Sequence, residues 1–140
     1  LTVMELLYKI KTGFPESDFG KLYGWARKKL GQKCLLIIYT NFEHSGAMKR
    51  QLPFLKALSK HHLVLVVIFE NYLLDTFSSE PANNLSEIVE KTIAAKFVYD
   101  KRLIAKELNR LGIQTILCAP QDLSMQTINK YMEIKAKGLI

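Results

Sequence analysis

Leu63 to Phe69 reads Leu-Val-Leu-Val-Val-Ile-Phe, seven apolar residues without one polar interruption. A strand with one wet face alternates polar and apolar positions. An unbroken apolar run, partly β-branched, instead suits a strand covered on both faces, the usual situation in a parallel sheet. Two further segments, Cys34 to Thr40 (CLLIIYT) and Ile113 to Cys118 (IQTILC), share that character. Helical spacing fills the intervals. Ala47 to Lys60 turns Leu52, Leu55 and Leu58 inward, with Pro53 as a local disturbance. A long helix starts at Asn83, Asn84 or Ser86 and ends near Leu111, before Gly112. Ile88, Ile93, Phe97, Leu103, Ile104 and Leu108 are its apolar positions. Parallel neighbours need a crossover, and a helix supplies it. The expected fold is therefore three-layer α/β, with a parallel central sheet of about three strands flanked by helices.

Outward from this centre, Val3, Leu6, Leu7 and Ile10 fall on one face of a short helix that Thr12-Gly13-Phe14-Pro15 breaks. Ser17 or Asp18 caps the next helix, which runs to Leu30 with Phe19, Leu22, Tyr23, Ala26 and Leu30 inward and Trp25 to one side. Gly31 is its expected C-terminal cap. Arg27, Lys28 and Lys29 complement the helix dipole in the last turn. Glu70 to Asn84 is a connection holding a short helical turn at Leu73 to Phe77. After the Ala119-Pro120 turn, Asp122 or Ser124 caps a last helix to about Lys137, with Ile128, Tyr131, Met132 and Leu139 as contacts. No repeat or low-complexity segment divides the chain, so residues 1–140 read as one domain. Its start at Leu1 reads as a C-terminal fragment of a larger protein.

The composition excludes a disordered tail, a collagen repeat, a disulfide scaffold and a coiled coil, because 49% of the 140 residues are apolar and 24% charged. The longest apolar run has seven residues, against the roughly 20 that a membrane-spanning helix needs. Net charge is +7, and its excess lies in residues 1–70, with 11 basic against 5 acidic side chains. Lys28, Lys29, Lys33, Lys49 and Arg50 form a candidate basic face for an anionic partner, or simply a solvated surface. Aromatic residues are not interleaved with it, so no nucleic acid is expected. Cys34 and Cys118 sit in apolar runs at opposite rims of a parallel sheet. They read as buried free thiols, too far apart for a disulfide.

Ligands of open parallel sheets sit beyond the carboxyl ends of the strands. The loops there run Thr40-Asn41-Phe42-Glu43-His44, Glu70-Asn71 and Ala119-Pro120-Gln121-Asp122. Thr40, Asn41, Glu43, Glu70 and Asp122 carry oxygen donors of the kind a hard cation accepts, although caps and turns also require such residues. Thr40, Asn41, Glu43, Glu70 and Asn71 are the candidate binding rim. His61-His62 lies at the wrong rim, on opposite strand faces, and His44 reads as a surface histidine. The chain has no Gly-x-Ser-x-Gly elbow, no Gly-x-Gly-x-x-Gly and no Gly-Lys-Ser/Thr loop. No catalytic residue, metal or cofactor is assigned.

The strand ending Ile37-Ile38-Tyr39-Thr40-Asn41-Phe42-Glu43 resembles the von Willebrand factor type A strand that ends in Thr-Asp-Gly. The tail Ile128-Asn129-Lys130-Tyr131-Met132-Glu133-Ile134-Lys135-Ala136-Lys137-Gly138-Leu139-Ile140, with Leu52-Pro53-Phe54-Leu55 and His62-Leu63-Val64-Leu65, is similar to the bacterial family called domain of unknown function 58. The resemblance covers most of the chain. It implies the second half of a doubly wound type A-like domain from a larger bacterial protein with membrane-spanning helices. That places the domain on the cytoplasmic side of the inner membrane, working with a MoxR-type AAA+ ATPase. The family's Asp-x-Ser-x-Ser metal motif belongs to the other half, and Thr12 or Ser17 stands for its middle threonine motif. Asn41 replaces the aspartate of the third motif, and a neutral oxygen weakens a magnesium site. The expected function is a non-catalytic protein-interaction module that also self-associates through the exposed edge of strand 34–40. The alternatives are anion or nucleic-acid binding on the basic face, or magnesium-dependent nucleotide or phosphoester chemistry at Glu43, Glu70 and Asp122.

Overall fold

A computed structural model describes residues 18–42 and 44–139 of the chain. The expected helix at Val3 to Ile10, the Thr12–Pro15 break, the Thr12 and Ser17 assignments and Glu43 lie outside the described residues. Three parallel strands, β1 (Leu35–Thr40), β2 (Leu63–Phe69) and β3 (Gln114–Cys118), form a sheet in the order β1-β2-β3. Leu35 pairs with Leu63 and Thr40 with Ile68, while Leu65 pairs with Gln114 and Phe69 with Cys118. All three carboxyl ends therefore meet at one rim. The helices are α1 (Phe19–Lys29), α2 (Ser45–His61), α3 (Tyr72–Ser79), α4 (Leu85–Arg110) and α5 (Leu123–Ala136), with a 3-10 turn at Pro120–Asp122. This is the α/β architecture that the apolar runs require, a parallel sheet flanked by helices.

Alternation along the strands divides the core. Ile38, Val64, Val66 and Ile68 pack with Phe19 and Ala26 of α1, Met48, Leu55 and Leu58 of α2, and Ile104 and Leu108 of α4. Leu65, Val67 and Cys118 face the other way, where Leu35, Ile37, Ile116 and Leu123 join them. β2 is the buried centre, as its sequence predicts. β1 is less well covered than its sequence predicts: among the described residues it lies at the edge of the sheet, Ile38 is its one buried residue and Tyr39 is 52% exposed.

Local chemistry sets the helix ends. Asp18 Oδ1 accepts the Lys21 N–H at 3.1 Å. Asn84 Oδ1 accepts the Glu87 N–H at 2.8 Å, and Glu87 Oε2 accepts the Asn83 N–H at 2.8 Å, a reciprocal cap. Gly112, at φ 84, takes the left-handed position that closes α4, and the Ile113 N–H reaches the Leu108 carbonyl at 3.0 Å. Gly31 has no such role. α1 ends through an extended Leu30 whose N–H bonds the Ala26 carbonyl. α2 passes through Pro53 without a break.

Two helices turn differently from their apolar spacing. Along α4, Ile104 and Leu108 are buried, but Ile88, Ile93, Phe97 and Leu103 face outward. The buried positions of its first half are Lys91, Ala94 and Val98. In α5 the inward residues are Thr127 and Ile134, whereas Ile128, Tyr131, Met132 and the following Leu139 are exposed. The cause for α4 is length. Its 26 residues span about 39 Å, far more than strands of five to seven residues can cover. Its amino-terminal half therefore overhangs the sheet and packs on α3.

Candidate functional site

Because the strands end together and α4 overhangs them, a cleft of about 730 Å³ opens at the carboxyl rim. The strand ends supply Asn41, Phe69, Glu70, Asn71, Ala119, Pro120 and Gln121 to its wall. α3 adds Tyr72, Leu73 and Leu74, and α4 adds Phe97, Val98 and Lys101. Leu73 is the most exposed large apolar side chain here, at 81%.

Asn41, Glu70, Asn71 and Lys101 are all engaged in bonds within the chain. Asn71 caps α3, its Oδ1 accepting the Leu73 N–H at 3.0 Å. The Lys101 Nζ donates to Asn41 Oδ1 and to the Phe42 carbonyl. Arg102 binds Glu70 at 3.2 Å and Asp75 at 3.0 Å. The Glu70 side chain is only 13% exposed, so its carboxylate needs this partner, while Arg102 itself is half in solvent. The Glu70 N–H also donates to the Cys118 carbonyl at 2.8 Å, fixing the end of β2 to the end of β3. Burial pushes the Cys118 thiol above the ordinary range, and the negative charges of Asp122 and Glu70 push it further.

The cleft brings together three expected rim residues, Asn41, Glu70 and Asn71. Thr40 ends β1 opposite Ile68 and is not in the wall. Asp122 closes the 3-10 turn and stands at the N-cap position of α5, its side chain making no cap hydrogen bond, and it is also outside the wall. His44 is the N-cap of α2, its Nδ1 accepting the Ala47 N–H at 3.2 Å. His62 is buried, and its Nδ1 accepts the Cys34 N–H at 3.1 Å, joining the starts of β1 and β2. Both cysteines are free, Cys34 partly exposed and Cys118 buried.

The basic residues are spread over the first two helices and the segment between them. Lys28 and Lys29 lie in the last turn of α1. Lys33 lines a hollow of about 310 Å³ at the opposite rim with Arg27, His61 and His62. Lys49 and Lys56, on α2, lie close enough to Glu107 of α4 to help hold its carboxyl below the ordinary range, behind the larger effect of Arg110. Arg50 is exposed on α2.

Tyr72, Leu73, Leu74, Phe97, Val98, Lys101 and Arg102 are absent from the candidates named on sequence. No local spacing links them to the strand ends. The available signal is the excess length of α4, which forces its middle over the rim. The chain matches no family model, no curated protein and no solved structure. Among the described residues, no three His, Cys, Asp or Glu side chains are grouped to hold a metal ion. No described helix is long and apolar enough to cross a membrane.

Proposed function

We propose that the chain is a non-catalytic protein-interaction module whose rim cleft seats an apolar segment of a partner protein. One observation carries this proposal. Phe69, Leu73, Leu74, Phe97, Val98 and Pro120 line the cleft, while its two ionic groups are already engaged, Glu70 by Arg102 and Lys101 by Asn41 and the Phe42 carbonyl. An apolar concavity with a polar, satisfied margin gains by excluding water. Acid–base chemistry instead requires groups aimed at a substrate. Among the described wall residues Glu70 is the single carboxylate, and it is bonded to Arg102. The net charge of +7 favours a partner with acidic flanks, through faster encounter.

The resemblance to the domain of unknown function 58 family extends the proposal. The module belongs to a larger membrane-associated bacterial protein, lies on the cytoplasmic side and binds a MoxR-type AAA+ ATPase. A second copy pairs along the outer edge of β1, which has no neighbouring strand among the described residues. The test is calorimetry of the purified ATPase with the full parent protein, as wild type and as Leu73→Asp. Binding that is lost or weakened roughly tenfold or more in the variant is expected. Unchanged affinity excludes docking at this rim.

A further inference from the structure

The oxygen donors that follow β1 already hold a positive charge, and it comes from the chain itself. Lys101, on α4, reaches back some sixty residues to place its ammonium on Asn41 Oδ1 and the Phe42 carbonyl oxygen. These are neutral oxygens of the kind that also ligate a hard cation. The type A-like resemblance places a metal motif at Asn41, so fit can be judged on the donors. They do not fit a divalent ion. Any ion on Asn41 Oδ1 and the Phe42 carbonyl would stand within a few ångströms of the Lys101 ammonium. Like-charge repulsion in a partly buried cleft would oppose it.

We propose that Lys101 is a tethered cation that takes the place of a divalent ion on the donors following β1 and excludes one from the rim. α4 therefore does at this rim what a bound ion would do. It occupies the oxygens' lone pairs, ties the end of β1 to the helix above the cleft and fixes the shape of the wall. This requires no partner, so it stands apart from the docking proposal and is tested without one.

The experiment titrates Mn²⁺ into the protein and follows paramagnetic broadening of amide signals around Asn41. Three proteins are compared: wild type, Asn41→Asp, and Asn41→Asp combined with Lys101→Ala. Wild type is expected to show no saturable broadening there. The added carboxylate gives weak binding at most while Lys101 remains. Removing the ammonium tightens binding by about tenfold or more. Saturable binding by wild type, or equal affinity of the single and double variants, overturns the proposal. Should the double variant fail to fold, the single variant decides. An aspartate facing the tethered ammonium raises the thermal midpoint at low salt, and added salt shrinks the gain. A lowered midpoint overturns it.

Discussion

Asn109 illustrates what one side chain can do that no spacing rule reveals. Its Oδ1 accepts the Thr115 N–H at 2.9 Å, and its Nδ2 donates to the Thr115 carbonyl at 3.2 Å. One amide thereby satisfies both backbone groups of a residue on β3, at the edge of the described sheet, as a neighbouring strand would. Asp18 and Asn84 were readable as caps, because an oxygen-bearing residue before an apolar run has a local meaning. Asn109, His62 and Lys101 were not readable, because their partners are set by the tertiary fold. The two thiols give a test at this scale. Cys118 is fully buried with its ionisation pushed up, and Cys34 is partly exposed. A thiol-alkylating reagent under native conditions is expected to label Cys34 and spare Cys118, as read by peptide mass spectrometry. The sign of the pH effect follows. Cys118 holds its proton more firmly folded than unfolded, so its contribution is flat below the ordinary thiol range. As pH rises past that range the unfolded chain ionises first and stability falls.

Among the elements, α3 is held by polar staples. It has no fully buried residue. Arg102 grips Asp75 in its first turn, and Lys91 donates to the Phe77 carbonyl at 2.6 Å near its end. The Lys91 ammonium also stands 4.1 Å from the centre of the Phe77 ring. Lys91 is only 8% exposed, so its charge is offset by that carbonyl and ring. Replacing it with methionine keeps the stem and removes the staple. The expected result is a local loss of about 1–3 kcal/mol. Amide exchange would quicken in α3, and β2 would keep its protection. Equal acceleration in both elements would mean that Lys91 serves the whole core. The strands were legible because unbroken apolar runs mean the same thing wherever they pack. α4 was half legible. Its carboxyl-terminal half meets the sheet and obeys the apolar spacing. Its overhanging half packs on α3 and buries Lys91, Ala94 and Val98, leaving larger residues outside.

For the molecule as a whole, the architecture was readable and the cleft only in outline. Consecutive buried strands joined through helices leave few topologies, and the ligand rim follows from strand direction. Asn41, Glu70 and Asn71 could be placed there for that reason. The α3 and α4 wall could not, since it depends on how two helices pack. The outer edge of β1 brings a prediction at this scale. Light scattering over a concentration series is expected to show a dimer, and a variant with Ile37→Pro in that edge to be monomeric. Tyr39→Lys, which keeps the backbone donors and adds an edge charge, is the companion should the proline unfold the chain. A wild-type protein that stays monomeric at the highest concentration removes the self-pairing.

The overhang of α4 has a mechanical side. Phe97 and Lys101 stand at the cleft, and Ile104 and Leu108, one and two turns further along the same rod, are clamped in the hydrophobic centre. Force applied at the mouth thus passes along one continuous helix into the interior. Such a stiff lever would let a push at one pole be felt at the root of the third ribbon, where the chain re-enters the sheet.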